Sequence, residues 1–281
     1  MRKVVYTCIT GNYDSMVEPD FISEGFDYIC FTDDKELKSN IWKIVQLENM
    51  PEELTSVKKQ RYVKICPHKF LPDYDLSIWV DGNVKITGDM NKYLETYCNR
   101  NTSIFIPSHP QRECIYSEAN TCIAIGKDRK ENVKPQMDRY EEEGFPKNYG
   151  LVQSNIIIRK HNEPDCIELM DLWWSEVRDN SHRDQLSFNY ALWKLPHINI
   201  TNLSFKTCNA DYFTCKWQHK NSKLGPITPP QTKQRTPYNI SNKAAMQAPD
   251  TTSIDYLINN LNKIAKRREK AKRRFISFYS H

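Results

Sequence analysis

No apolar run in this sequence approaches the ~18–20 residues that a membrane-spanning helix requires. Charged residues make up 27% of the 281 positions and the mean hydropathy is −0.71, so a soluble protein is expected. The opening residues, Met1-Arg2-Lys3-Val4-Val5-Tyr6, enter a strand pattern at once and show no cleavage region of a secretory leader. A cytoplasmic product is therefore expected. The sequons at Asn101, Asn199, Asn202 and Asn239 then meet no glycosylation machinery and read as accidental. Nine cysteines are present, an odd number without C-x-x-C spacing, which argues against a zinc ribbon and a closed disulfide framework. Cys8, Cys30 and Cys66 stand among apolar residues and are expected to be reduced and buried. Internal repeats and low-complexity blocks are also absent.

The net charge of +5 misleads as an average. Residues 251–281 hold eight Lys and Arg against Asp255 and Glu269, and the remaining 250 residues sum to −1. The body therefore lacks the extended basic face or aromatic-interleaved patch of a nucleic-acid binder, and no nucleic-acid partner is expected. The length suits one α/β domain or two small ones, with room for a substantial core.

Strands are expected at 3–9, 26–31, 41–47, 75–80, 103–107 and 154–159, each rich in β-branched or aromatic residues. Residues 56–66 carry Val57, Tyr62, Ile65 and Cys66 at spacings that predict one buried helical stripe, with Pro67 and Pro72 beyond it. A second amphipathic helix is predicted over 163–178, with Leu169, Leu172, Trp173 and Val177, and a third over 183–194. Alternation of strands with helices argues for a mainly parallel sheet covered by helices. Five prolines and many polar residues make 221–250 a linker, after which helical periodicity returns over 251–276.

The most informative stretch is Tyr74-Asp75-Leu76-Ser77-Ile78-Trp79-Val80-Asp81-Gly82-Asn83. An apolar strand ends there in a carboxylate, a glycine and an amide. Ligands of open α/β sheets sit beyond the carboxyl ends of the strands. The hard oxygens of Asp81 and Asn83 suit Mg²⁺ or Mn²⁺, and Gly82 lets a ligand approach the backbone. The stretch thus looks like a D-x-D metal and diphosphate loop with Asn83 in place of the second acid. An ordinary strand-to-turn transition is the alternative, since Asp-Gly is a common turn pair.

Other pieces accompany it in order. Val4 to Asp14 is a strand entering a glycine-containing loop, and Tyr28 to Asp34 is a strand ending in acids. His109-Pro110-Gln111-Arg112, Gly150-Leu151-Val152-Gln153-Ser154-Asn155 and Ser181-His182-Arg183-Asp184-Gln185-Leu186-Ser187-Phe188 follow. Together they resemble the nucleotide-sugar glycosyltransferases of the GT-A type. They are more closely similar to a family that includes plant mucilage and cell-wall glycosyltransferases and many uncharacterised microbial sequences. The resemblance runs over residues 3–220 and is most specific at Trp79–Asn83, His109–Arg112 and Arg183–Phe188.

The resemblance implies a GT-A-like, Rossmann-type domain over 1–220 that moves a hexose-type sugar from a nucleotide diphosphate donor to a glycan or glycoconjugate acceptor. It implies a divalent metal, Mn²⁺ or Mg²⁺, on Asp81 with His219 and Asn83. Thr7, Gly11, Asn12 and Tyr13 would line the nucleotide loop, with Asp33 near the base or ribose; a plain strand–turn, and for Asp33 a helix N-cap, are the alternatives. Arg61 and Lys64, three apart on one helix face, would meet the diphosphate or donor sugar, or else form a solvated face with Lys58 and Lys59. Asp184 would act as a general base, or Asp184 and Gln185 would lie beneath the reacting carbon of a retaining enzyme. The alternative for Asp184 is an acid favoured by a helix N-terminus. His109, Arg112, Tyr116 and Glu118 would form the acceptor or donor-sugar side. Trp173, Trp174 and Trp193 read as core or cleft wall.

Two other functional classes stand beside this one: a sugar-nucleotide binder without turnover, motivated by the missing second acid, and a nucleotide-sugar hydrolase. Along the tail, Lys263 to Arg274 share a segment with Ile264, Phe275, Ile276 and Phe278. Such a basic amphipathic helix would either lie on an anionic membrane beside a lipid-linked acceptor or dock on the body as a solvated C-terminal helix.

Overall fold

In the computed structural model, residues 1–208 and 211–215 are described. The linker expected at 221–250, the basic tail at 251–281 and His219 lie outside the described residues. The central sheet contains β1 (Lys3–Ile9), β2 (Phe26–Thr32), β3 (Lys43–Gln46), β4 (Leu76–Val80), β6 (Ile104–Pro107), β7 (Ile156–Arg159) and β8 (Thr201–Leu203). A small antiparallel pair is formed by β5 (Val84–Ile86) and β9 (Phe213–Cys215). The seven-stranded order is β3-β2-β1-β4-β7-β6-β8. Only β7 runs against its neighbours β4 and β6; the other pairings are parallel. The protein is thus the mainly parallel, helix-flanked α/β fold that the strand–helix alternation predicts.

The reason lies in strands that are apolar on both faces, as a doubly covered sheet demands. Along β1, Val4, Tyr6 and Cys8 join one core cluster with Val63, Ile65, Leu169 and Trp173. Val5 and Ile9 enter the opposite cluster with Trp42, Met90 and Tyr93. In β4, Trp79 faces the first cluster while Leu76, Ile78 and Val80 face the second. Chain order along the sheet reverses at β1, with β2 on one side and β4 on the other. Sheets of this kind bind ligands in the crevice beyond the carboxyl ends of the strands at such a reversal, here those of β1 and β4.

The helices are α1 (Ser56–Ile65), α2 (Pro67–Phe70), α3 (Met90–Tyr97), α4 (Ile115–Ala124), α5 (Lys130–Glu142), α6 (Pro164–Asp179) and α7 (Phe188–Lys194). None of the described helices is long and apolar enough to cross a membrane. Thr55 caps α1 by accepting from the Lys58 N–H. Of the stripe expected on α1, Ile65 and Cys66 are buried and Tyr62 packs against the core; Val57 is corrected, being exposed, and Val63 and Lys64 are buried beside the stripe. At the other end of α1, the buried Arg159 guanidinium donates to the carbonyls of Lys64 at 2.8 Å and Ile65 at 3.3 Å. The Tyr6 hydroxyl also donates to the Lys64 carbonyl, at 2.9 Å. These carbonyls have no partner within the helix.

The single helix expected over 183–194 is broken. Asp184–Leu186 is a 3-10 turn, and α7 begins only at Phe188. The Asp184 carbonyl explains the break, because it accepts from the Trp173 indole at 2.8 Å and from the Ser187 N–H at 3.2 Å. It is thereby withdrawn from an α-helical bond. The eight cysteines from Cys8 to Cys208 are free, with Cys8, Cys30 and Cys66 buried as expected. Trp173 and Trp174 are core residues.

His161, at the exit of β7, is wholly buried with Nε2 at 2.9 Å from the Leu71 carbonyl. Burial pushes its pKa down to about 4. The unfolded chain, with a histidine near ~6.5, binds more protons between those values. Stability is therefore lost as pH falls from about 6.5 through 4, on the order of 1–3 kcal/mol. Denaturant unfolding over that range should show this loss, and His161→Gln, which keeps an N–H donor, should reduce it.

Candidate functional site in the crevice beyond β1 and β4

The loop after β1 is a tight turn closed by the Tyr13 N–H on the Thr10 carbonyl. Gly11 and Asn12 both have positive φ, 60° and 52°, the pattern of a type I′ turn. A Cβ on Gly11 would lie 3.0 Å from the Ser56 Cβ, so the loop rests against the first turn of α1. The Thr10 hydroxyl donates to the Ser56 carbonyl at 2.7 Å. The Gly11 N–H donates to the Asp33 carboxylate at 3.0 Å, which joins the ends of β1 and β2. Asp33 therefore braces the first loop, and the helix N-cap reading fails because the next helix begins only at Ser56. Thr7 is not on this loop: it sits inside β1, 2% exposed, paired with Cys30.

The centre of the site is the Lys64 ammonium. It lies 2.7 Å from Asp184 Oδ2, 3.2 Å from Asp81 Oδ1 and 3.2 Å from Ser154 Oγ. Ser154 donates in turn to Asp184 Oδ2 at 2.9 Å, and the Trp79 indole donates to Asp81 Oδ1 at 2.8 Å. Arg61 Nε lies 3.6 Å from Asp184 Oδ1. The solvated-face alternative for Arg61 and Lys64 is thus overturned: their side chains are 14% and 1% exposed, and both point at Asp184. Burial alone would raise the Asp184 pKa. Arg61, Lys64 and Arg183 outweigh it and hold the carboxyl well below the usual carboxylate range.

Asp81 opens the turn to Asn83, with the Val84 N–H on its carbonyl and its own N–H on the Asn155 carbonyl. Its side chain is 29% exposed, so it carries the cluster out into the crevice. A Cβ on Gly82 would meet the Asp14 carboxylate at 3.3 Å and Ile9 at 3.3 Å. Asp14, at the end of the first loop, therefore stands against the Asp81-Gly82-Asn83 turn. It was not singled out in the sequence, although it closes the first motif; Ser154 likewise lies within a recognised motif without a role of its own.

The residues expected on the acceptor or sugar side divide. The His109 ring accepts at Nδ1 from the backbone N–H groups of Gln111 and Arg112, at 3.2 and 3.1 Å. Burial pushes its pKa down to about 4, so it is a neutral residue shaping the 109–112 turn. Arg112 pairs with the buried carboxylate of Glu118. Arg183 donates to Gln185 Oε1 at 3.1 Å, and the Gln185 amide donates to the Val152 carbonyl at 3.1 Å. Tyr116 turns away, donating its hydroxyl to the Phe145 carbonyl at 2.9 Å. Sequence reading also missed the brace behind the 181–187 segment. There Asp128 accepts from the Ser181 hydroxyl at 2.5 Å and lies 3.2 Å from His182 Nδ1.

Removing one partner of a buried ion pair leaves an uncompensated charge, at a cost of about 3–5 kcal/mol. Lys64→Met should destabilise the fold by that amount in denaturant unfolding. Adding Asp184→Asn to it should cost less than the sum of the two single changes, because the pair is then already broken.

Residues 1–219 match the family described as TOD1/MUCI70, glycosyltransferase-like domain. The chain is also 27% identical over 197 residues to an Arabidopsis thaliana protein described as a probable hexosyltransferase, MUCI70. That match takes in 66% of this chain and 34% of the plant protein, so the chain spans about one third of the relative's length. With most of its length inside the family's domain, the chain belongs to the TOD1/MUCI70 glycosyltransferase-like family.

Proposed function

We propose that this protein transfers a hexose-type sugar from a nucleotide diphosphate donor to a glycan or glycoconjugate acceptor, through a GT-A-type site at the end of β1 and β4. The observation that carries the reading is the buried Lys64 between Asp81 and Asp184, with Arg61 and Arg183 around it. Lys64, Arg61 and Arg183 set fixed cations beside the two carboxylates at the end of β4 and before α7. Preorganised charge of this kind stabilises a leaving diphosphate, since it is oriented before negative charge develops. Family membership and the relative's description support glycosyl transfer over binding alone.

The donor set at the mouth fits a hard divalent cation such as Mn²⁺ or Mg²⁺. Asp81, Asn83 and Asp14 offer oxygen ligands around Gly82, whose missing Cβ keeps that space clear. A metal held there would neutralise charge on the diphosphate. His219 remains a further candidate ligand. Asp81 also accepts from Lys64 and Trp79 on one oxygen, which orients the carboxylate with or without metal.

Asp184 is a weak proton acceptor in this setting, being buried and surrounded by cations. Its geometry favours the reading in which Asp184 and Gln185 lie beneath the donor sugar over that of a general base. Asp184 fixes Lys64 and Arg61, while Gln185 and the 109–118 segment border the sugar or acceptor. The tail, with its basic and apolar residues, is proposed to hold the protein near a lipid-linked acceptor at an anionic surface. Flotation with anionic vesicles at low salt, comparing the full chain with one ending at Asn260, tests that part.

Incubation with a panel of nucleotide sugars and Mn²⁺, with and without glycan acceptors, should release nucleotide in an acceptor-dependent way. Release without acceptor dependence would make the protein a hydrolase, and binding without release a sugar-nucleotide binder. Asp81→Ala should abolish transfer and metal-dependent nucleotide binding while the fold persists; near-normal turnover would remove Asp81 from the site. Asp184→Asn should lower turnover by about 10²–10³-fold, the scale of a lost electrostatic contact to the reacting group. A pH profile without a new acid limb would separate this role from that of a general base.

A further inference from the structure

A second cluster of ligating side chains lies away from the crevice, where α1 and α2 meet α6. Cys66 ends α1, His68 follows it in α2, and Asp171 faces them from α6. One ligand atom from each lies within 4.8 Å of the others, and among the described residues this is the one such group of three. His68 Nε2 is 3.3 Å from Asp171 Oδ1. Two ligands at ~2.0–2.1 Å from a tetrahedral zinc ion stand about 3.3–3.4 Å apart, so this edge already has the right length.

The state of His68 is the second observation. Its side chain is only 9% exposed, yet buried Nδ1 makes no hydrogen bond and Nε2 has only its contact with Asp171. Buried polar groups are nearly always partnered, and an imidazole short of partners beside a thiol and a carboxylate has the chemistry of a metal ligand. Cys66 is wholly buried, whereas Asp171 is about half exposed and opens the cluster to solvent. Lys69 Nζ lies 3.1 Å from Asp171 Oδ1 and neutralises it. That side chain is 42% exposed and is free to swing into water.

We propose that Cys66, His68 and Asp171 bind a zinc-class divalent cation, with water as the fourth ligand. The thiol excludes a preference for Mg²⁺, because soft sulfur ligands select borderline metals over hard ones. Binding forms the metal–sulfur bond and releases the Cys66 proton to solvent. The ion would tie the end of α1, which carries Lys64, to α6, which leads into the Asp184 segment. The site is independent of any metal at Asp81 and would brace the crevice from behind.

The test uses the full chain freed of metal by chelator and titrated with Co²⁺, then Zn²⁺. One Co²⁺ per chain should give a thiolate-to-cobalt charge-transfer band that Zn²⁺ displaces and that survives Asp81→Ala. Cys66→Ser should abolish the band. Should that core variant not fold, His68→Gln and the half-exposed Asp171→Asn decide. Each should weaken binding by about tenfold or more, since even outer-shell partners of a metal cost that much. Zn²⁺ should also raise the Tm of the wild type by more than that of Asp171→Asn at the same concentration. A missing band, or one of equal affinity in His68→Gln and Asp171→Asn, would overturn the proposal.

Discussion

Lys64 is the constraint on which the crevice depends. Moving an ammonium into the protein interior costs several kcal/mol, and only close, well-placed partners offset it. Those partners come from different parts of the chain: Asp81 from the end of β4, Ser154 from the entry to β7 and Asp184 from the turn before α7. A chain that buries Lys64 must therefore bring α1, β4, β7 and the 184–187 segment into one register. The same contacts assemble the candidate site, so folding and site geometry share one interaction.

Arg159 sets where Lys64 can stand. This second buried cation has no carboxylate within salt-bridge reach among the described residues, and its two terminal nitrogens bond instead to the carbonyls of Lys64 and Ile65 and to Tyr6. Cations are favoured at helix C-termini, and here the helix end is fixed against β7 and β1 rather than left in solvent. The backbone of Lys64 is held from below by Arg159 while its side chain is held from above by two acids. That arrangement leaves α1 little freedom to slide along the sheet.

Much of this was legible in the sequence, for identifiable reasons. The inner strands β1, β2, β4, β6 and β7 were readable because strands covered on both faces are near-continuous apolar runs, and α1 and α6 because they are bounded by breakers. The helix α5 was missed although Val133, Gln136, Met137 and Tyr140 lie on one face. A polar member of that stripe and Pro135 inside the helix obscure its period. The three-residue strands β5, β8 and β9 are too short to carry a pattern. In the site, Asp81, Lys64, Arg61 and Asp184 were named from motifs, but the contacts of Lys64 and Arg61 with Asp184 join residues far apart in the chain. No local pattern records such a contact. Thr7 was misplaced because a strand's buried end and the loop beyond it look alike in sequence.

The Asn83 substitution shows most clearly what a linear motif leaves out. Counted along the chain, Asp81-Gly82-Asn83 lacks the second acid that a D-x-D loop would carry. In space, the carboxylate of Asp14 stands against Gly82, brought there by the turn that follows β1. The parallel pairing of β1 with β4 makes this juxtaposition unavoidable, because it places both carboxyl ends at the same edge. A side chain at position 82 would push Asp14 away, so the glycine and the distant acid belong to one device. The acidic complement of the turn is thus a property of the sheet, and a reading confined to one strand end underestimates it.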